Sequence, residues 1–397
     1  MLRRPPTVES SMTSPSSTAA EEPLSIPTVD LAELVHHDRA VRDAAAATLR
    51  EAFGTYGLAY VANHGVDFAL RDRLFQRFVD FTERPDEEKQ PFNRGDIWFQ
   101  RGWTPPNTER AVAAGGQPDF KECWFAAPVP TDANLQIEYP QIFADNVWPA
   151  DGAEEGAEFR EDYLRLGRQL HEAGLSLLHG VAMSLGLPER TFERKVEGGA
   201  HVFRLLRYLA LDAAQVGSGV VWGEEHTDFN LLTLLPGGQF FSPDNAPSER
   251  PDDESGLYLR TRPSKAHPRG QLIRGKAPEG CIVAQVGQQL EILTGGDLLA
   301  TPHVITAPKT PGYTRMSGAH FIHLHAHEMV FPLERLRTQE NIAAYAPPVL
   351  AGTYAIKTLV DIGLAPPEAL QKLGYRHYGR LAEIHAAERG SKAAPKA

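Results

Sequence analysis

Three short pieces in the second half of the chain carry side chains suited to redox metal chemistry: His226-Thr-Asp228, an isolated His303, and Arg315-Met-Ser317. Two imidazoles and one carboxylate can occupy one face of an octahedral divalent ion. The three positions left open suit iron(II) with a bidentate co-substrate and dioxygen. Residues i and i+2 of a strand point the same way, so His226 and Asp228 can face one point, and so can Arg315 and Ser317. A guanidinium with a neighbouring hydroxyl can grip a carboxylate.

One H-x-D tripeptide is weak evidence, since His36-His37-Asp38 has the same form. That copy lies in a polar connection ahead of a helix and has no third ligand in pattern. The 226/228/303 ligand types also suit zinc, with Glu224 and Glu225 as neighbouring carboxylates for a general base. Tyr208 can add a hydrogen bond to the carboxylate grip from an adjacent strand. Phe321 and His323 are candidates for the substrate-pocket wall. By parity His323, His325 and His327 share the face of Arg315 and Ser317, with His325 and His327 beyond the barrel mouth, while His320 faces away.

The elements that must position these groups are legible in the apolar periodicity. Ile26, Thr28 and Asp30 alternate against Val29 as a short strand. Val41, Ala45, Leu49 and Phe53 mark a helix stopping at Gly54, and Leu58–Ala62 reads as a strand. Leu70, Leu74 and Phe78 predict a second helix. Tyr163, Leu166, Leu170, Leu177, Val181 and Leu185 predict a longer third one, closed by Gly186 and Pro188. Strands are then expected over His201–Leu211, Leu231–Leu235, Gly256–Arg260, Cys281–Val286, Leu290–Leu293 and Ser317–Leu324. Helical pattern returns over Pro366–Glu388. Helices followed by many short strands imply a mainly β fold with flanking helices: a double-stranded β-helix (jelly roll) core behind a helical N-terminal region.

The organisation expected is a disordered tail over 1–23, an α/β cap over 24–150, the jelly-roll core over 151–335, and a C-terminal helical segment and tail over 336–397. With 397 residues, 42% hydrophobic, there is material for a large core. A net charge of -11 argues against nucleic acid or an anionic membrane as the main partner. Two cysteines, Cys123 and Cys281, leave no room for a disulfide framework. A cytoplasmic protein, monomeric or weakly homo-oligomeric, acting on a small molecule is the expectation.

At these residues the chain resembles the isopenicillin N synthase-like branch of the iron(II)/2-oxoglutarate-dependent dioxygenases. The resemblance rests on Ile26-Pro-Thr-Val-Asp30, Tyr56–Gly65, Arg84–Lys89, Gln100–Trp103, Asp119–Glu122, Gly256-Leu257 and Leu290–Gly296, together with the three chemical motifs. It implies iron(II) held by His226, Asp228 and His303, with O2 as the oxidant. It also implies 2-oxoglutarate with its far carboxylate on Arg315 and Ser317, assisted by Tyr208. Decarboxylation to succinate and CO2 would then drive hydroxylation, desaturation or cyclisation. Two alternatives remain at this point: an isopenicillin N synthase-type oxidase that uses the same grip for its substrate, and a non-catalytic metal-binding sensor.

Three departures from the family pattern stand out: Val304 where an arginine is usual, Gly287-Gln288-Gln289 in place of a Gly-Asp pair, and Leu206-Arg207-Tyr208-Leu209. The stretch Gln239–Gly280 lengthens the gap between ligands and is expected to act as a lid or substrate-shaping loop. Its basic residues Arg260, Arg262, Lys265, Arg269 and Arg274 hint at an anionic substrate.

Overall fold

The computed structural model describes residues 26–109, 119–149, 154–218, 220, 222–261 and 270–371. Its strands run β1 Thr28–Asp30, β2 Leu58–Ala62, β3 Gly102–Thr104, β4 Lys121–Ala126, β5 Val202–Tyr208, β6 Gly223–His226 and β7 Leu232–Leu235. They continue as β8 Gly238–Phe241, β9 Pro247–Ser248, β10 Gly256–Arg260, β11 Leu272–Arg274, β12 Ile282–Val286, β13 His303–Thr306 and β14 Thr314–Ile322. The larger sheet has the order β1-β2-β12-β7-β14-β5-β4-β3, with β8 beside the first half of β14. The smaller sheet has the order β11-β10-β13-β6. Two such sheets facing one another are the jelly roll that the strand pattern predicts.

Both faces of the larger sheet are covered, and the alternation of side chains decides which residue serves which side. On β14, Met316 and Ile322 join the core shared with the helices, whereas Ala319 and Phe321 join the apolar cluster between the sheets. On β5, Phe203 and Leu205 face the helices while Leu206 and Tyr208 face inward. A single register thus sends Arg315, Ser317, Arg204 and Tyr208 into the interior. A slip of one residue would bury them among helices instead.

The helices Arg39–Thr55, Phe68–Thr82 and Glu154–Ser184 back this sheet. Ala45, Leu49 and Phe53 are buried as the spacing predicts. The first of these helices runs one residue past Gly54, and Gly57, at φ +66, makes the turn instead. The longest comes close to the sheet at Gly174, where a Cβ would sit 2.3 Å from Ile322 Cδ1, so any larger residue forces the layers apart.

One expected strand is corrected. Leu290–Leu293 belongs to a helix, Gln288–Leu293. Buried Leu290 and Leu293 are three apart on one helical face, and a short apolar run does not distinguish the two readings by itself. The strand containing Arg315 ends at Ile322, so parity does not extend to His325 and His327. Those two instead meet Asp132 and Glu138, at 3.3 Å and 2.7 Å. The C-terminal helical expectation over Pro366–Glu388 is met within the described residues only by Glu368–Gln371, and the rest lies outside them. The expected tail over 1–23 also lies outside them.

His320 faces away from the interior, as parity requires, into a histidine group behind the sheet. Its Nε2 is 3.1 Å from His171 Nδ1, and the His171 ring lies 4.6 Å from that of His201. Burial pushes His171 down to about 4, and burial plus the neighbouring imidazoles hold His201 and His320 well below the usual histidine range. A histidine whose folded pKa lies below its unfolded value of about 6.5 binds fewer protons when folded. Its stabilising neutrality is therefore lost progressively as pH falls from about 6.5 toward about 4. The melting temperature is expected to drop across that window, and His171→Gln to flatten the drop in a pH series of thermal melts.

Candidate active site

The antiparallel pairing of β6 with β13 sets His303 directly opposite His226, and a register shift follows between His303 and Ile305. The two rings lie 4.3 Å apart. Asp228 sits two residues beyond the end of β6, in a loop whose carbonyl accepts from Gln288 N at 2.8 Å. Its Oδ1 lies 3.7 Å from His226 Nε2 and 3.9 Å from His303 Nε2. One ligand atom from each of the three lies within 4.8 Å of the others, and no other such group of histidine, cysteine or acid side chains occurs among the described residues.

The hydrogen bonds orient these side chains for a cation. His226 Nδ1 is 2.7 Å from the carbonyl of Glu224, and a carbonyl only accepts, so Nδ1 carries the proton and Nε2 keeps its lone pair. His303 is arranged alike, with Nδ1 at 3.4 Å from Thr301 O. Burial, with His226 beside it, lowers the His303 pKa to about 4, so its imidazole is neutral near pH 7 and fit to ligate. Thr233 Oγ1 donates to Asp228 Oδ2 at 2.7 Å, which leaves Oδ1 to face the histidines.

Arg315 and Ser317 project into the same cavity, of about 520 Å³, as the three candidate ligands. Both are buried, at 8% exposure each. Burial lowers the Arg315 pKa, and Tyr208, its register partner, lies with its ring 5.6 Å from the guanidinium carbon. Arg315 Nη1 has no hydrogen-bond partner. A buried guanidinium nitrogen without an acceptor is costly, and a carboxylate is the group that repays it best. The donor set and the orphaned nitrogen therefore fit iron(II) with a dicarboxylic 2-oxo acid. Tyr208 also stacks on Trp222, with the ring centres 5.4 Å apart.

Phe321 and His323 line a second cavity of about 530 Å³ that shares His226 and Asp228 with the first. Phe229 joins them, 5.2 Å from the His323 ring. This cavity is closed in part by the helix Ala351–Asp361, which contributes Tyr354, Lys357 and Leu359. The Tyr354 hydroxyl donates to Gln288 Oε1, and Gln288 Nε2 donates to Thr227 Oγ1 at 2.6 Å. The glutamine that departs from the family pattern thus ties the covering helix to the centre of the His226-Thr-Asp228 tripeptide.

The sequence did not single out Lys121, Arg204 or Tyr354 for chemistry. The signal for Arg204 was available, since it shares a strand face with Tyr208 four residues away. Lys121 lies opposite Tyr208 on β4, a strand the apolar pattern did not reveal. The long stretch Gln239–Gly280 forms β8 to β11, and its residues Gly275–Gly280 line the first cavity. Arg250 and Lys276 of this stretch line the first cavity, whereas, of the basic residues singled out in the sequence, Arg274 donates to Asp253 O and Arg260 pairs with Glu225 at 2.7 Å. The same pair occupies one of the two carboxylates considered as a zinc-hydrolase base. Arg262, Lys265 and Arg269 lie outside the described residues.

The fold is a jelly roll whose smaller sheet, with the loop after β6, brings together three side chains able to hold a divalent metal. Comparison with known proteins agrees. The family described as non-haem dioxygenase in morphine synthesis, N-terminal, matches residues 26–151. Leucoanthocyanidin dioxygenase of Malus domestica is 24% identical over 70% of this chain and 68% of its own. The 2-oxoglutarate-Fe(II) type oxidoreductase ppzC of Metarhizium majus is 23% identical over 81% and 84%. Among solved structures, T7H of Neurospora crassa in complex with alpha-KG superposes with a TM-score of 0.68 at 21% identity, over 86% of this chain and 97% of that one. A 2OG-Fe(II) oxygenase family protein of Caulobacter crescentus gives 0.67 at 27% identity, over 85% and 99%. The chain is thus similar, over most of its length, to dioxygenases that use iron(II) and 2-oxoglutarate.

A methyl group added at Gly238 would meet Arg315 Nη2 at 2.4 Å and push the guanidinium aside. Overpacking of this kind costs about 1–3 kcal/mol. Gly238→Ala is therefore expected to weaken 2-oxoglutarate binding by about tenfold, with metal affinity unchanged, when the two are titrated separately.

Proposed function

We propose that His226, Asp228 and His303 hold iron(II), and that Arg315 and Ser317 take the far carboxylate of 2-oxoglutarate with Tyr208 packed against the guanidinium. The enzyme is an oxidoreductase that couples oxidative decarboxylation of 2-oxoglutarate to oxidation of a small organic substrate, with O2 as oxidant. When bound, the iron supplies activation of dioxygen, with the 2-oxo acid as the source of two electrons. The chain's own residues do the rest. His226, Asp228 and His303 would hold the ion, Arg315 would fix the direction of the co-substrate, and the aromatic cavity beside Asp228 would exclude water from the reacting carbon. Phe321 and His323 belong to that cavity wall.

The observation that carries this reading is the orphaned Arg315 Nη1, buried in the same cavity as the 226/228/303 cluster. The hydroxylated, desaturated or cyclised outcome depends on which substrate carbon the cavity presents. Within the class we assign the chain to the isopenicillin N synthase-like branch, on the motifs of its N-terminal half. We take 24–150 as an α/β cap, 151–335 as the oxygenase core and 336–397 as a C-terminal helical segment and tail, a division supported by the helix Ala351–Asp361 lying against the second cavity. Both described cysteines are free thiols, which supports a cytoplasmic setting, and no helix among the described residues is long and apolar enough to cross a membrane.

Release of labelled CO2 from carboxyl-labelled 2-oxoglutarate tests the assignment. Asp228→Ala is expected to abolish release. Arg315→Leu, which leaves the bound carboxylate buried without its partner at a cost of about 2–5 kcal/mol, is expected to raise the 2-oxoglutarate KM by about a hundredfold. Unchanged KM in Arg315→Leu would assign the grip elsewhere.

A further inference from the structure

Lys121 and Arg204 are the cationic side chains that line both cavities, at the junction of the co-substrate end with the substrate end. Neither stands alone. Lys121 Nζ pairs with Glu109 at 3.1 Å and also with Asp119, and Arg204 pairs with Glu109. Lys121, Glu109 and Asp119 are each less than one-tenth exposed. Two formal positive charges are therefore met by two formal negative ones in a buried patch beside the candidate metal ligands. On the covering helix the pattern repeats, where Lys357 pairs with Asp361 and both line the substrate cavity.

The patch retains unused hydrogen-bonding capacity of both kinds. Arg204 Nε, a donor, and Asp119 Oδ1, an acceptor, are buried without partners. Beside them the wall is aromatic: the Arg204 guanidinium lies 4.6 Å from the centre of the Phe125 ring, and Phe229, Phe321 and His323 also line the cavity, with the Phe229 and His323 rings 5.2 Å apart and tilted by 49°. A charged substrate entering here would lose its hydration and meet a patch with no net charge to replace it. A neutral ring loses little hydration and can use the dipoles of the ion pairs.

We propose that the Lys121, Arg204, Glu109 and Asp119 patch selects an uncharged planar ring substrate whose polar end both donates and accepts hydrogen bonds, as a primary amide or lactam does. The patch acts in specificity, and its members contact the substrate's polar end while the aromatic wall holds the ring. This rests on the oxygenase reading above and names the substrate class of the same cavity.

The test uses the full-length protein loaded with Mn(II) in place of iron and saturated with 2-oxoglutarate. Binding of three isosteric probes is measured by calorimetry: 2-naphthamide, 2-naphthoate and 2-naphthamidine, which are neutral, anionic and cationic. The wild-type protein is expected to bind the amide about tenfold tighter than either charged probe. Glu109→Gln leaves the patch with excess positive charge and should move the ratio toward 2-naphthoate by about tenfold, and Lys121→Met should move it toward 2-naphthamidine by a similar factor. The double variant, neutral again, should restore the wild-type order. Tighter binding of a charged probe by the wild type, no binding of any probe, or ratios unmoved in folded single variants would each overturn the proposal. Should the single variants fail to fold, the wild-type and double-variant orders decide it. Loss of 2-oxoglutarate binding by the wild type would instead strike the oxygenase reading, so the two failures are distinguishable.

Discussion

Antiparallel pairing of β6 with β13 is the constraint on which the site depends. It places His303 across from His226, and residues directly opposed in such a ladder have Cα atoms only about 4.5–5.5 Å apart. Two imidazoles from distant parts of the chain are therefore brought together by backbone hydrogen bonds, before any metal contributes. Asp228 is outside the ladder and has to be held by other means. The Gln288 amide takes its carbonyl and the Thr233 hydroxyl takes one carboxylate oxygen. Three ligands thus come from a strand, a loop and a facing strand, each set by a different local interaction.

The facing sheet supplies the second half of the chemistry by the same economy of register. Arg315 and Ser317 project inward because Met316 and Ile322 on the same strand are claimed by the helical layer. The helix layer thereby determines the direction of the co-substrate grip without touching it. Burying a guanidinium with one nitrogen unpaired lowers stability in the free protein. The gain appears on binding, since a carboxylate arriving there meets a donor already stripped of water and already aimed. The substrate side follows another rule, where the charges are paired with one another and the walls are aromatic.

Much of this was legible in the amino-acid sequence, and the limits have physical causes. The His226, Asp228 and His303 grouping could be anticipated from residue type and order, but strand parity was not its cause for Asp228, which lies in a loop past the end of β6. Strands such as Gly256–Arg260 and helices such as Glu154–Ser184 carry plain periodicity, and they form where expected. Leu290–Leu293 misled because three apolar residues in four fit either a buried strand or one helical turn, and the helix buries Leu290 and Leu293 on one face, with Gly287 in extended conformation as its N-cap residue. Strand β4 was obscured because Lys121 and Glu122 interrupt its apolar pattern, and both are buried through partners on neighbouring segments, Glu109 and Asp119 for Lys121 and the Trp103 indole for Glu122. Gln288 looked like a departure from the family pattern. Its tie to Tyr354 depends on tertiary packing that no local pattern encodes.

The most direct measurement of the central claim is a crystal structure of the full-length protein with Mn(II) and 2-oxoglutarate under anaerobic conditions, with the metal located by anomalous diffraction. The account requires one metal peak at about 2.0–2.3 Å from His226 Nε2, His303 Nε2 and an Asp228 carboxylate oxygen. The 2-oxoglutarate far carboxylate should then lie within hydrogen-bond distance of the Arg315 guanidinium. A peak lacking any one of those three ligands, or a fourth protein side chain closing the coordination sphere, would contradict it.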